Sequence, residues 1–299
     1  MLKHLLIPLV LVSMPLSGFG QRSSTLLEMD LSVISQVNQG NSYITSPTDI
    51  GNIEQLWFEA NLIPNFYLRE SKNSRLMGVL TPQIIIRMYQ EESFPVRTPS
   101  YLPQLTLYYF FKKKENLQTS SFYGRIGHHS NGQEGAFYSD EEVINLKSGN
   151  FLTNFLELGY IKTNINNRFN AYQFFKTSLE YHPKRLVDKN LHDIYSRYRW
   201  HSAFSIFRLP KNNEKQPFSK RPTRSLKGEA TWMFGNYNDL NTLSPERFNL
   251  KLTFYYHPQF LEDIGFFTQY YHGSDYYNIY FNHRLSILRF GIMTEKLIF

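Results

Sequence analysis

The stretch YGRIGHHSNGQ, Tyr123 to Gln133, sets two histidines side by side, then a serine, then an Asn-Gly pair. A serine hydroxyl becomes a nucleophile when an imidazole within hydrogen-bond reach takes its proton, and a third group must hold that imidazole in the right tautomer. Along an extended chain, neighbours point to opposite faces, while residues two apart share a face about 6.6 Å apart at the backbone. His128 and Ser130 therefore share a face, and their tips can lean together. The adjacent pair His128-His129 fails as a metal site on the same geometry. No G-x-S-x-G elbow occurs, which removes an α/β-hydrolase. Asn131-Gly132 is also a strong turn pair, so a plain hairpin end is the rival reading of these residues.

The elements that must position the pair are strands. NLKLTFYY sets Leu250, Leu252, Phe254 and Tyr256 against Asn249, Lys251, Thr253 and Tyr255. YSRYRWHSAFSIF sets Tyr198, Trp200, Phe204 and Ile206 against Arg197, Arg199, His201 and Ser205, and SLKGEATWMF alternates in the same way. Period two with one apolar and one polar face is the mark of a β-strand. The segments run to about ten residues or more, longer than is usual in a soluble sandwich, and Tyr and Phe crowd their ends. Aromatic residues make up 16% of the 299-residue chain, yet mean hydropathy is −0.41 and no apolar run after the N-terminus is long enough for a membrane helix.

The N-terminus reads as a secretory signal over residues 1–20. Lys3 precedes the short apolar run Leu5 to Leu16 and the small residues Gly18 and Gly20, with Gln21 as the expected mature start. The run is too short for a membrane anchor. Cysteine is absent, which leaves no disulfides, thiolate metal sites or thiol nucleophiles. The net charge of +7 does not argue for nucleic acid, because the densest basic stretch, KNNEKQPFSKRPTRSLK, is one proline-containing loop of an exported chain. It reads as a solvated loop that can touch anionic headgroups.

Export, long alternating strands, aromatic ends and no cysteine predict an all-β fold: a transmembrane antiparallel β-barrel of about twelve strands over residues 21–299, apolar side to lipid and polar side to the lumen. The strands are expected at 26–37, 53–67, 75–90, 101–113, 119–131, 150–162, 169–182, 192–207, 225–236, 246–257, 263–273 and 284–297. With both termini periplasmic, the long connections fall outside the cell; only the basic 208–224 loop breaks the rule of short periplasmic turns.

That frame decides which way the pair points. Phe122, Gly124, Ile126, His128 and Ser130 form the apolar face, and Tyr123, Arg125, Gly127, His129 and Asn131 the polar one. His128 and Ser130 are expected to look outward into lipid at the outer rim, where polar groups are costly and usually functional. His129 is expected in the lumen. Asn150, at the head of the next strand and in phase with Leu152, Leu156 and Leu158, is the expected third group.

At these residues the chain resembles the outer-membrane phospholipase A family of Gram-negative bacteria. His128-His129-Ser130-Asn131-Gly132 matches its H-x-S-N-G, and Ser148-Gly149-Asn150 its S-x-N. EESFPVRTPSYLPQL, Glu91 to Leu105, is similar to the segment before its fourth strand, MGVLTPQ to the strand ahead of that, and the terminal KLIF to its C-terminus. The resemblance implies hydrolysis of phospholipid acyl esters in an outer membrane, with Ser130 as nucleophile, His128 as base, Asn150 orienting His128 and the Gly132 backbone N–H in the oxyanion hole. It also implies Ca2+, held by the carbonyls of Gln133 and, from a partner subunit, Ser93. A side-chain oxygen from the following loop, a hydroxyl in the family, would complete the set, with Ser139, Asp140 and Ser148 as candidates. The active form it implies is a homodimer. Two other functions compete: a different lipid-modifying barrel, such as a lipid A deacylase, and a non-catalytic porin-like barrel.

Overall fold

A computed structural model describes residues 30–45, 49–52, 54–71, 74–111, 118–166, 168–210, 222–258, 260–261 and 263–294. The expected signal segment and the terminal KLIF lie outside the described residues. Thirteen β-segments form one antiparallel sheet: β1 (Tyr43–Thr45), β2 (Leu56–Leu62), β3 (Phe66–Leu68), β4 (Leu76–Tyr89), β5 (Ser100–Phe111), β6 (Gln118–Ser130), β7 (Leu152–Asn166), β8 (Ala171–Tyr181), β9 (Tyr198–Arg208), β10 (Arg224–Phe234), β11 (Phe248–Tyr256), β12 (Ile264–Ser274) and β13 (Arg284–Thr294). β1 pairs with both β13 and β2, and β2 with β4, so the sheet closes. β2 and β3 lie end to end along β4, interrupted around Pro64, which has no N–H to give. Counted as one stave they give the closed barrel twelve strands.

The expected first strand is a correction. Residues Leu31–Gln39 form a helix, α1. Asp30 caps it, its carboxylate accepting the Val33 N–H at 3.0 Å, and Gly40 ends it at φ +85°. Leu31, Ile34 and Val37 recur at helical spacing and bury against Met77, Val79, Tyr108, Phe110, Tyr123 and Phe174 inside the barrel. The true first strand is β1, further along, so the parity of every later strand survives.

Alternation holds around the wall: Leu158 is 72% exposed while Tyr123 on the other side is 3% exposed. No described helix is long and apolar enough to cross a membrane, and the exposed apolar belt sits on strands. The lumen is layered. α1 and its aromatic neighbours fill the end with the shorter connections. Tyr277, Ile279, Tyr280 and Phe281, from the connection between β12 and β13, pack with Phe137 and Phe151 at the other. Between them lies a polar cavity of about 350 Å³ lined by Gln104, Arg125, His129, Glu180 and Arg199, among others.

Candidate active site

β6 and β7 are antiparallel neighbours in unbroken register, with Ser130 opposite Leu152 and His128 opposite Asn154. The parity expected from the sequence holds. Phe122 and Ile126 are exposed on the outer wall, His128 and Ser130 are half-buried in phase with them, and His129 turns inward. There His129 packs edge-on to Phe151, with its Nε2 3.3 Å from the Ser100 hydroxyl.

His128 Nδ1 lies 2.9 Å from Asn154 Oδ1. The Asn154 Nδ2–H donates to the Leu186 carbonyl at 2.7 Å, which turns the amide so that its oxygen faces the imidazole. An acceptor at Nδ1 keeps the proton there and leaves Nε2 as the basic nitrogen. Among the described residues no hydrogen bond engages the Ser130 hydroxyl or the Gly132 N–H. Gly132 sits at φ +66°, a left-handed conformation that glycine adopts freely.

The structure does not bring Asn150 to His128. In this register it lies beyond Ser130, and its Nδ2–H donates instead to Asp188 Oδ2 at 3.0 Å. The group on His128 is Asn154, one helpful signal for which was already in the sequence: a lone amide among the outward leucines Leu152, Leu156 and Leu158.

Asn131, buried between the strand ends, builds the turn. Its Nδ2–H donates to the Gly149 carbonyl (2.8 Å), and its Oδ1 accepts from the Phe151 N–H (3.0 Å) and the Gln133 N–H (3.3 Å). Of the expected cation ligands, Ser139 and Asp140 lie in a small hairpin tip, closed by Glu142 N–H to the Ser139 carbonyl. Ser148 is nearer to Gln133: its carbonyl accepts from the Gly135 N–H at 3.0 Å, and its hydroxyl accepts from Asn145. Ser93 is exposed in the β4–β5 connection at φ +65°. No group of three or more His, Cys, Asp or Glu among the described residues could hold a metal.

The fold and site define a closed barrel of outer-membrane type carrying a Ser, a His and an Asn on the outside of its wall. No protein-family model and no curated protein matches the sequence. Solved structures match it in fold. The barrel is similar to outer membrane phospholipase A from Escherichia coli, with a TM-score of 0.59 and 14% identity over 90% of this chain and 99% of that one. An asparagine-to-alanine active-site mutant of that protein matches at 0.58 and 14%, over 93% and 94%. The calcium-bound dimer of the Salmonella typhi outer membrane phospholipase matches at 0.55 and 15%, over 86% and 91%. At such identities the likeness is one of fold.

Proposed function

We propose that this barrel is a lipid hydrolase of the bacterial outer membrane that cleaves phospholipid acyl esters on its outer wall. The observation that carries the reading is the 2.9 Å contact of His128 Nδ1 with Asn154 Oδ1 on the lipid side, beside Ser130. A structural wall has no use for three polar groups in that place. An asparagine is also an active-site residue in the structurally similar Escherichia coli enzyme, by the description of its mutant.

His128 Nε2 takes the proton of Ser130 Oγ as Oγ attacks the ester carbonyl, and charge develops on the carbonyl oxygen. The Gly132 N–H is the available donor for that oxyanion, an interaction worth several kcal/mol when well aimed (~3). The imidazolium, steadied by Asn154, then protonates the departing glycerol oxygen. Water, deprotonated by the same nitrogen, frees the fatty acid and restores Ser130.

Calcium and dimerisation belong to the same proposal. The neutral oxygens near the Asn131 turn suit a hard cation, with the Gln133 carbonyl and Ser148 hydroxyl better placed than Ser139 or Asp140. A bound cation would supply positive charge near the developing oxyanion. Ser93, on the exposed connection, would contribute its carbonyl from a second copy. A conducting pore is the poorer reading, since α1 and residues 277–281 occupy the lumen.

The test is Ser130→Ala in mixed phospholipid micelles, with and without calcium, beside sulfonyl fluoride labelling of the parent. Loss of hydrolysis, with label on Ser130, is expected. Full activity in the variant sinks the nucleophile, and products from lipid A but not from phosphatidylethanolamine would reassign the substrate. Crosslinking that finds a fully active monomer removes the dimer.

A further inference from the structure

Asn150 has the right face and the wrong place for the triad, and the structure gives it another partner. The connection from β8 to β9 folds back over the upper end of β7. The Asp188 N–H donates to the Leu152 carbonyl at 2.9 Å, and Thr153 pairs with Val187 as an isolated bridge. Asn150 closes the seam with its 3.0 Å bond to Asp188 Oδ2. The other oxygen of Asp188 accepts from the Asn190 N–H (2.9 Å) and Asn190 Nδ2–H (3.0 Å), which fixes the local turn. One product of this seam matters to the chemistry. It holds the Leu186 carbonyl against the Asn154 amide at 2.7 Å.

An asparagine amide has nearly the same shape in its two flipped orientations but opposite polarity. With Oδ1 towards His128, Nδ1 holds the proton and Nε2 is free to act as base. With Nδ2 there, a donor faces Nδ1, the proton moves to Nε2, and Ser130 loses its acceptor. The Leu186 carbonyl can accept only from Nδ2, so it selects the productive orientation.

We infer that Asn150 and Asp188 are a positioning pair, which, by holding the Leu186 carbonyl in place, sets the Asn154 amide and through it the tautomer of His128. The inference rests on the hydrolase reading for its consequence in turnover, but not for its effect on the imidazole. Asn150 bonds to Asp188 and not to His128, so its action on the imidazole is indirect.

The experiment uses the full chain in detergent micelles with ¹⁵N-labelled histidine. In Asp188→Ala and in Asn150→Ala, the His128 ring nitrogens are expected to move from a single Nδ1–H tautomer to a mixture. kcat on a phospholipid is expected to fall roughly tenfold with KM little changed. The double variant should be no worse than either single one, because both cut the same seam. The exchange Asn150→Asp with Asp188→Asn restores a donor–acceptor pair and should recover the parent spectrum. Unchanged His128 nitrogen shifts in both single variants overturn the inference, as does a double variant whose losses multiply. A hydrolase misassignment shows itself separately, as an active Ser130→Ala protein, and leaves the ring-nitrogen result standing.

Discussion

Glu59 and Arg289, from opposite ends of the sequence, meet at 2.7 Å inside the barrel with no measurable exposure of either side chain. The other Glu59 oxygen takes Arg87 at 2.8 Å, and Tyr43 and Tyr276 donate to the first at 2.7 and 2.6 Å. Two guanidinium groups thus share one carboxylate, with Asp275 on Arg87 and Asp49 on Arg289 completing the network. Removing one partner of a buried pair leaves an uncompensated charge, at a cost of about 3–5 kcal/mol. Glu59→Leu is expected to destabilise the barrel by that order, read from reversible unfolding in detergent. Labelling of Ser130 in the remaining folded protein should be unaltered.

Asn154→Ala removes the acceptor on His128 Nδ1 that fixes the tautomer of the base, and should lower kcat by about a hundredfold. Asn150→Ala should cost less, because it loosens the amide rather than deleting it. Parallel kinetics on one phospholipid check the ranking. An Asn150 variant as damaged as the Asn154 variant would return Asn150 to the centre of the site.

Gly132→Ala should impair turnover more than stability. The left-handed backbone costs a residue with a Cβ roughly 1 kcal/mol. The new Cβ would also stand 3.2 Å from the Tyr101 ring, tilting the N–H proposed for the oxyanion. Adding Tyr101→Ala relieves the contact but not the backbone, so only partial recovery is expected in a hydrolysis assay.

Much of the site could be read from alternation alone, because face is a local property: period two sends His128 and Ser130 outward and His129 inward whatever the strands pair with. Register is not local. Placing Asn154 opposite His128 requires the β6–β7 pairing, and the 21 residues between the two strands hide it. The family-like Ser148-Gly149-Asn150 motif points to an amide four residues before the one that meets His128. The helix at 31–39 was missed for another reason. Its apolar residues fit either period over so short a run, and the deciding marks were the Asp30 cap and Gly40. The seam of Asn150 with Asp188 joins positions 38 apart and has no signature in the sequence.

His182 stands one residue past β8 with Nε2 2.8 Å from Glu180 and Nδ1 2.7 Å from the Thr153 hydroxyl. Burial, the largest influence, lowers its pKa below the ordinary histidine value, against the pull of Glu180. The folded protein therefore refuses a proton that the unfolded chain accepts. Its contribution to stability is complete above about pH 6.5 and drains away as pH falls from there towards the depressed value. Unfolding midpoints at pH 7.5 and 5.5 should differ less in His182→Gln than in the parent.

The groups proposed to react hang on the outer skin of a cylinder whose two mouths are filled, by α1 at one and by Tyr277 to Phe281 at the other. If the barrel hydrolyses membrane lipid as proposed, its substrate would come to Ser130 sideways through the leaflet, so that supply would be counted in molecules per unit area and not per unit volume. Lipid packing and lateral diffusion, more than solution concentration, would set how often this surface meets its ester.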